Sequence, residues 1–300
     1  MIKPKRLQQG DRVRIVAPAS PVKPEMFAQG VNVIRELGFE PVYENPFPKW
    51  RYLAGEDEHR KAELIRALED PDCKAIFFAR GGYGCSRLLN DSTFEGSFAP
   101  KILLGCSDIT TLHLFFQKQS RWNVFHGPMP SGDFARGQVH KESLLNAISK
   151  GEGYELRPAE VQSLQNGKAE GILMGGCLTL IDASLGTPWE PDLKDCILFL
   201  EDVSVKPYQI DRMLTHLLQT GKFEGVRAFV FGEMKDCVQV ENQGYTLQEV
   251  ILDILGKLGK PIYYGFPSGH VSGLNWTIPL GVSARVSEQF SLEILESPVE

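Results

Sequence analysis

The stretch Leu103-Leu104-Gly105-Cys106-Ser107-Asp108-Ile109-Thr110 decides how the chain folds. A buried strand over Lys101–Leu104 runs into a sharp turn at Gly105, and a helix follows from about Ile109 to Gln119. Serine stands at the apex. Such a turn lifts a hydroxyl above the end of a sheet and aims the next N–H groups at a developing oxyanion. The nucleophile-elbow pattern G-x-S-x-G is met only in part, because Ile109 occupies the place of its last glycine. The competing reading is an ordinary strand-to-helix turn in which Ser107 caps the helix. Cys106, one residue off the apex, is expected to point into the fold.

Upstream, short apolar runs alternate with helical patterns. Arg12–Ala17, Phe39–Tyr43 and Ala75–Ala79 read as strands, with helices at Pro24–Leu37 and Glu58–Leu68. Gly38 stops the first of these helices. Repeated strand–helix–strand order implies a parallel sheet covered by helices. Downstream the pattern is mixed. Ile197–Leu200 and Ala228–Phe231 read as buried strands, Ile210–Leu218 and Leu247–Leu258 as helices, and Asn275–Ile294 as antiparallel strands. The polar stretch Lys150–Lys168, which lacks a period, separates the halves. The expected fold class is α/β: a Rossmann-like parallel-sheet domain at residues 1–155, a linker at 156–168, and a strand-rich α/β domain at 169–300.

Open parallel sheets bind ligands at the carboxyl ends of their strands. Arg80-Gly81-Gly82-Tyr83-Gly84 follows the Ala75–Ala79 strand at that edge, and its glycines permit close approach of backbone to ligand. It is neither G-x-G-x-x-G nor a P-loop. A nucleophilic serine needs a base, and six histidines are available. His59 falls in the charged run Glu56–Arg60, read as a solvated helix face; His113, His140 and His216 fall in helical patterns; His126 reads as a loop histidine. His270 stands apart, in the glycine-bearing loop Pro267-Ser268-Gly269-His270-Val271-Ser272-Gly273. Glu201 and Asp202 directly follow a run that reads as a central strand, and alternation lets only one of them face a site.

A net charge of −6 without a basic stripe argues against nucleic acid as a partner. No apolar run reaches the ~18–20 residues of a membrane span, and no secretory signal opens the chain. The six cysteines form no C-x-x-C pair and read as buried thiols. No metal-ligand spacing is present, so neither metal nor cofactor is expected. These features favour the cytoplasm.

At these residues the sequence resembles the LD-carboxypeptidase family of serine peptidases, which also includes the microcin C immunity hydrolases. The matching segments are Ala79–Gly84 (A-R-G-G-Y-G), Gly105–Thr110 (G-C-S-D-I-T), Gly175–Leu180 (G-G-C-L-T-L), Leu185–Trp189 (L-G-T-P-W), Leu198–Asp202 (L-F-L-E-D) and Gly265–His270 (G-F-P-S-G-H). The resemblance implies a Ser107–Glu201–His270 triad. It also implies an oxyanion hole from the N–H groups of Gly82 and Asp108, with Gly81 less favoured. Arg80, Gly81 and Tyr83 are the expected substrate contacts. The implied substrate is a cytoplasmic muropeptide tetrapeptide that loses its terminal D-alanine during peptidoglycan recycling, and the implied assembly is a homodimer. The immunity branch instead cleaves aminoacyl-nucleotide conjugates; the absence of a long insertion around Ser131–Lys150 tilts the reading toward the carboxypeptidases. A small amide or ester hydrolase using Cys106 or Ser107, and a peptide-binding domain without chemistry, are the competing classes.

Overall fold

In the computed structural model, which describes residues 1–44, 48–89, 94, 98–238 and 244–300, the first half of the chain builds most of one sheet and the second half builds another. The first half supplies β1 (Arg12–Val16), α1 (Pro24–Glu36), β2 (Glu40–Val42), α2 (Asp57–Glu69), β3 (Cys73–Phe78), β4 (Ile102–Gly105), α3 (Ile109–Gln119), β5 (Val124–His126) and α4 (Lys141–Ile148). Proline at the first position of α1 fixes φ where no N–H is needed, and Gly38 at φ +88° turns the chain out of it. Strands β2, β1, β3, β4 and β5 lie side by side, all parallel. Central strands of such a sheet are buried on both faces, which explains the uninterrupted apolar Ala75–Phe78. Ala75 and Phe77 face α1 and α4, whereas Ile76 and Phe78 face α2 and α3.

Next come β6 (Tyr154–Leu156), β7 (Gln162–Gln165), β8 (Ala169–Cys177), α5 (Leu178–Ala183), β9 (Cys196–Glu201), α6 (Pro207–Gln219), β10 (Ala228–Gly232) and α7 (Leu247–Leu255). The series ends with β11 (Ile262–Phe266), β12 (Ile278–Leu280), β13 (Ser283–Val286) and β14 (Leu292–Ile294). The second sheet runs β6-β14-β13-β8-β9-β10-β11-β7, with β8 to β11 parallel and the outer strands antiparallel. Leu198 and Leu200 of β9 pack under α5, α6 and α7, while Ile197 and Phe199 join a core shared with the first sheet. Truncating Phe199, fully buried there, to alanine would cost about 3–5 kcal/mol.

Three strands depart from the expected division. Strand β6 straddles residue 155 and edges the second sheet against β14. Strand β7 lies within residues 156–168 and edges the second sheet against β11. Strand β12 leaves the second half altogether and pairs antiparallel with β5, so that it completes the first sheet. The Gly175–Gly176 pair lets β8 lie close to its neighbours. A Cβ on Gly175 would sit 1.8 Å from the Phe199 carbonyl oxygen, and one on Gly176 would sit 2.7 Å from Thr110 Cγ2. All six cysteines are free and buried.

Candidate active site

The carboxyl ends of both sheets converge on one cavity of about 740 Å³. Strands β3 and β4 deliver Arg80, Gly81, Gly82 and Ser107 to it, and the loops after β10 and β11 deliver Lys235 and His270. Ser107 has φ +62°, a left-handed conformation that a non-glycine residue rarely adopts. Ser107 therefore does not cap the helix; Asp108 occupies the N-cap position of α3, and its side chain makes no cap hydrogen bond.

The glycine loop is built against this serine. A Cβ on Gly81 would lie 2.7 Å from Ser107 Cβ, and one on Gly82, at φ +112°, would meet Ser20 Oγ at 2.1 Å. Ser20 N–H donates to the Gly81 carbonyl at 3.3 Å, and Tyr83 N–H donates to Ser20 Oγ at the same distance. Asp108 fastens the far side: its buried carboxylate accepts from Cys85 N–H at 2.8 Å. Burial raises the Asp108 pKa, and the hydrogen bonds from Cys85 oppose that rise. Among the described residues, the N–H groups of Gly82 and Asp108 donate to no backbone or side-chain acceptor. Gly82 lines the cavity, whereas Asp108 is buried and lies outside its lining.

Sequence reasoning missed the brace beneath the loop. Arg60, read there as part of a solvated face, is fully buried. Its guanidinium donates to the carbonyls of Pro18, Gly84 at 2.9 Å and Gly55 at 3.3 Å, and it pairs with Asp57. One cation thus ties the segment after β1 to the glycine loop. The only sequence signal was an arginine four residues after Glu56 in an otherwise charged run.

Glu201 ends β9 fully buried, and its Oε2 accepts from both Nδ1 of His270 (2.8 Å) and His270 N–H (3.0 Å). Gly232 and Gly269 leave room for it: a Cβ on either would stand 2.6 Å or less from Glu201 atoms. Asn275, also missed, holds the His270 loop from inside. It donates to the Gly269 carbonyl at 2.8 Å and accepts from Gly269 N–H at 3.1 Å. Burial disfavours charge on both partners, yet each favours the other's ion more. The Glu201 carboxyl is held below its ordinary value, and the His270 imidazole is raised above its own.

Asp202 points away, accepting from Thr179 N–H (2.9 Å), Thr179 Oγ1 (2.7 Å) and Val203 N–H (2.9 Å). His126 is not a loop residue but the last residue of β5, fully buried. His113 bonds the Leu103 carbonyl at 3.1 Å, and burial depresses it to about 3. His140 caps α4, and His216 bonds Asp182 at 2.8 Å. Cys106 is buried, and burial raises its thiol pKa far above the ordinary value, with the Asp133 and Glu201 charges adding to the rise. That setting suppresses a thiolate nucleophile. Arg80 lines the cavity and donates to the Pro21 carbonyl at 2.9 Å, whereas Tyr83 lies outside the lining, its ring 6.0 Å from that of Tyr52. Among the described residues, no group of three or more His, Cys, Asp or Glu side chains is arranged to hold a metal ion. Nor is any helix among them long and apolar enough to cross a membrane.

Residues 13–127 match the LD-carboxypeptidase N-terminal domain and residues 170–286 the LD-carboxypeptidase C-terminal domain. The chain is 35% identical over 304 residues to a Bacillus subtilis protein named "Probable murein peptide carboxypeptidase", covering 99% of this chain and 95% of that one. A solved muramoyltetrapeptide carboxypeptidase from Oxalobacter formigenes is similar with a TM-score of 0.82 and 27% identity, over 96% of this chain and 100% of the other. The microcin C7 self-immunity protein MccF gives a TM-score of 0.89 over 100% of both chains. At 22% identity, that last likeness is one of fold.

Proposed function

The chain belongs to the LD-carboxypeptidase family of serine peptidases, and from that membership we propose that Ser107, His270 and Glu201 release the C-terminal D-alanine of murein tetrapeptides. It is a serine-type carboxypeptidase. His270 Nδ1 is engaged by Glu201, so Nε2 is the nitrogen that takes the Ser107 proton as Oγ bonds to the carbonyl carbon before the terminal D-residue. The carbonyl oxygen becomes an oxyanion facing the Gly82 and Asp108 N–H groups, each worth about 2.7–4 kcal/mol by analogy with other oxyanion donors. The imidazolium passes its proton to the leaving amine as the C–N bond breaks. Water then attacks the ester and gives a proton to Nε2; the acyl C–Oγ bond breaks, and the imidazolium returns that proton to Ser107 Oγ.

The observation that carries this reading is the paired geometry at Glu201 Oε2, which fixes the ring of a histidine lining the same cavity as a left-handed serine. Lys23, Arg80, Arg136 and Lys235 line the cavity beside Asp133, which pairs with Arg136, and Asp236; the excess of positive charge suits a substrate that ends in a free carboxylate. We further propose that the enzyme works in the cytoplasm on recycled muropeptides and as a homodimer, both by likeness to the family.

Mass spectrometry of a muropeptide panel tests the reading. Tetrapeptides should lose one alanine, while pentapeptides ending in two D-alanines stay intact. Cleavage of an aminoacyl sulfamoyl adenosine with no trimming of tetrapeptides would favour the immunity-type alternative.

A further inference from the structure

His126 is fully buried, yet among the described residues neither of its ring nitrogens finds a hydrogen-bond partner. Unpaired polar atoms inside a protein are costly and rare. Its Nε2 stands 3.7 Å from Oε1 of Glu201, an oxygen that is itself buried and unpaired. The other oxygen, Oε2, carries both hydrogen bonds to His270. A carboxylate gripped at one oxygen can still rotate about its last side-chain bond, where the torsional wells are broad. A donor at the second oxygen would remove that freedom.

The two residues come from different sheets. His126 pairs in register with Gly105 of β4 and Ile278 of β12, next to the strand that leads into Ser107. Glu201 ends β9. The Phe199 ring meets the imidazole edge-on, with centroids 5.3 Å apart, and limits its rotation.

We infer that His126 is a positioning residue for Glu201: its Nε2–H closes onto Oε1 as charge develops on His270, and keeps Oε2 aligned with Nδ1. This rests on the triad proposed above. Hydrogen bonds of this kind are often long in a free enzyme and tighten as the reaction proceeds. The titratable groups around the ring are Glu201, His270 and His113. Burial depresses His126 to about 4, the His270 charge adding to the effect and Glu201 opposing it. A neutral ring donates to Oε1 without setting a second cation beside His270.

The test compares His126→Leu and His126→Met, which remove the donor, with His126→Gln, which retains an N–H near the Nε2 position. Each is assayed on a tetrapeptide, alone and combined with Glu201→Gln, and thermal melts identify which apolar variant is folded. The apolar variants should lose about 10–100-fold in kcat with KM within about twofold, and His126→Gln should stay within about fivefold of wild type. In the Glu201→Gln background the apolar change should cost less than about twofold, because its target is already lost. An apolar variant with normal kcat, a His126→Gln as slow as it, or full additivity with Glu201→Gln would overturn the inference. Turnover by Ser107→Ala would instead overturn the triad, and the inference with it.

Discussion

Gly81 lies so close to Ser107 that a Cβ on it would stand 2.7 Å from the serine Cβ and 3.0 Å from its Oγ. The serine cannot withdraw, since its backbone is fixed at φ +62° between β4 and α3. A methyl group at residue 81 must therefore push the glycine loop away and carry the Gly82 N–H with it. Gly81→Ala should lower kcat by about 10²-fold, the scale of losing one oxyanion donor, while circular dichroism stays unchanged.

Ser107→Ala should abolish turnover. Ser107→Gly should do the same and yet be at least as stable as wild type in urea denaturation. Glycine adopts φ > 0 freely, whereas the left-handed region costs an L-residue roughly 1–2 kcal/mol. A glycine variant clearly less stable than the alanine variant would show that Ser107 is not strained.

Glu201 and Asp202 are adjacent but serve different partners. Glu201→Gln should reduce kcat by about 10²–10⁴-fold with little change in KM, through loss of imidazolium stabilisation. Asp202 holds Thr179 at the start of α5, so Asp202→Asn should lower the melting temperature and leave kcat within about tenfold. Steady-state kinetics and thermal melts on both variants separate the two roles.

A base must be neutral to accept the serine proton, and Glu201 favours the His270 imidazolium. kcat/KM should therefore fall as pH drops, with the midpoint above the ~6.5 of an ordinary histidine. In Glu201→Gln that limb should move to lower pH. A limb that stays in place would mean that Glu201 does not set the charge of the ring.

Glu63 in α2 is buried, and a contact from the Ala17 backbone only partly offsets the loss of water around its carboxyl. Burial, reinforced by the Glu44 charge, raises it to about 7. A carboxyl raised in the folded state costs nothing below its unfolded pKa of about 4.5 and progressively destabilises as pH rises toward 7. Glu63→Gln should therefore leave stability unchanged near pH 4 and raise it by on the order of 2–3 kcal/mol at pH 8. Urea titrations at the two pH values measure the difference.

The sequence made the Ser107 turn and the Glu201 strand end visible for one reason. A strand buried on both faces must be apolar throughout, so a polar residue at its carboxyl end is conspicuous. His270 could be picked out because glycines flank its loop. Arg60 could not: its acceptors are backbone carbonyls of segments remote in sequence, and a charged helical run looks the same whether or not one member is buried. His126 was visible as a residue but not as a strand, since β5 is only three residues long. The three residues of β12 carry no local signal of which sheet they enter.

The crossing of β12 bears on how the protein is made. The loop that carries His270 leaves the second sheet at β11 and is anchored at its other end by β12 in the first. On the ribosome, β5 can gain its β12 partner only after residues 278–280 have emerged. Ser107 is synthesised early, but the strand that seals its sheet arrives together with the histidine. Chain order thus sets the last strand of the first sheet and His270 within about ten residues of each other, near the end of synthesis.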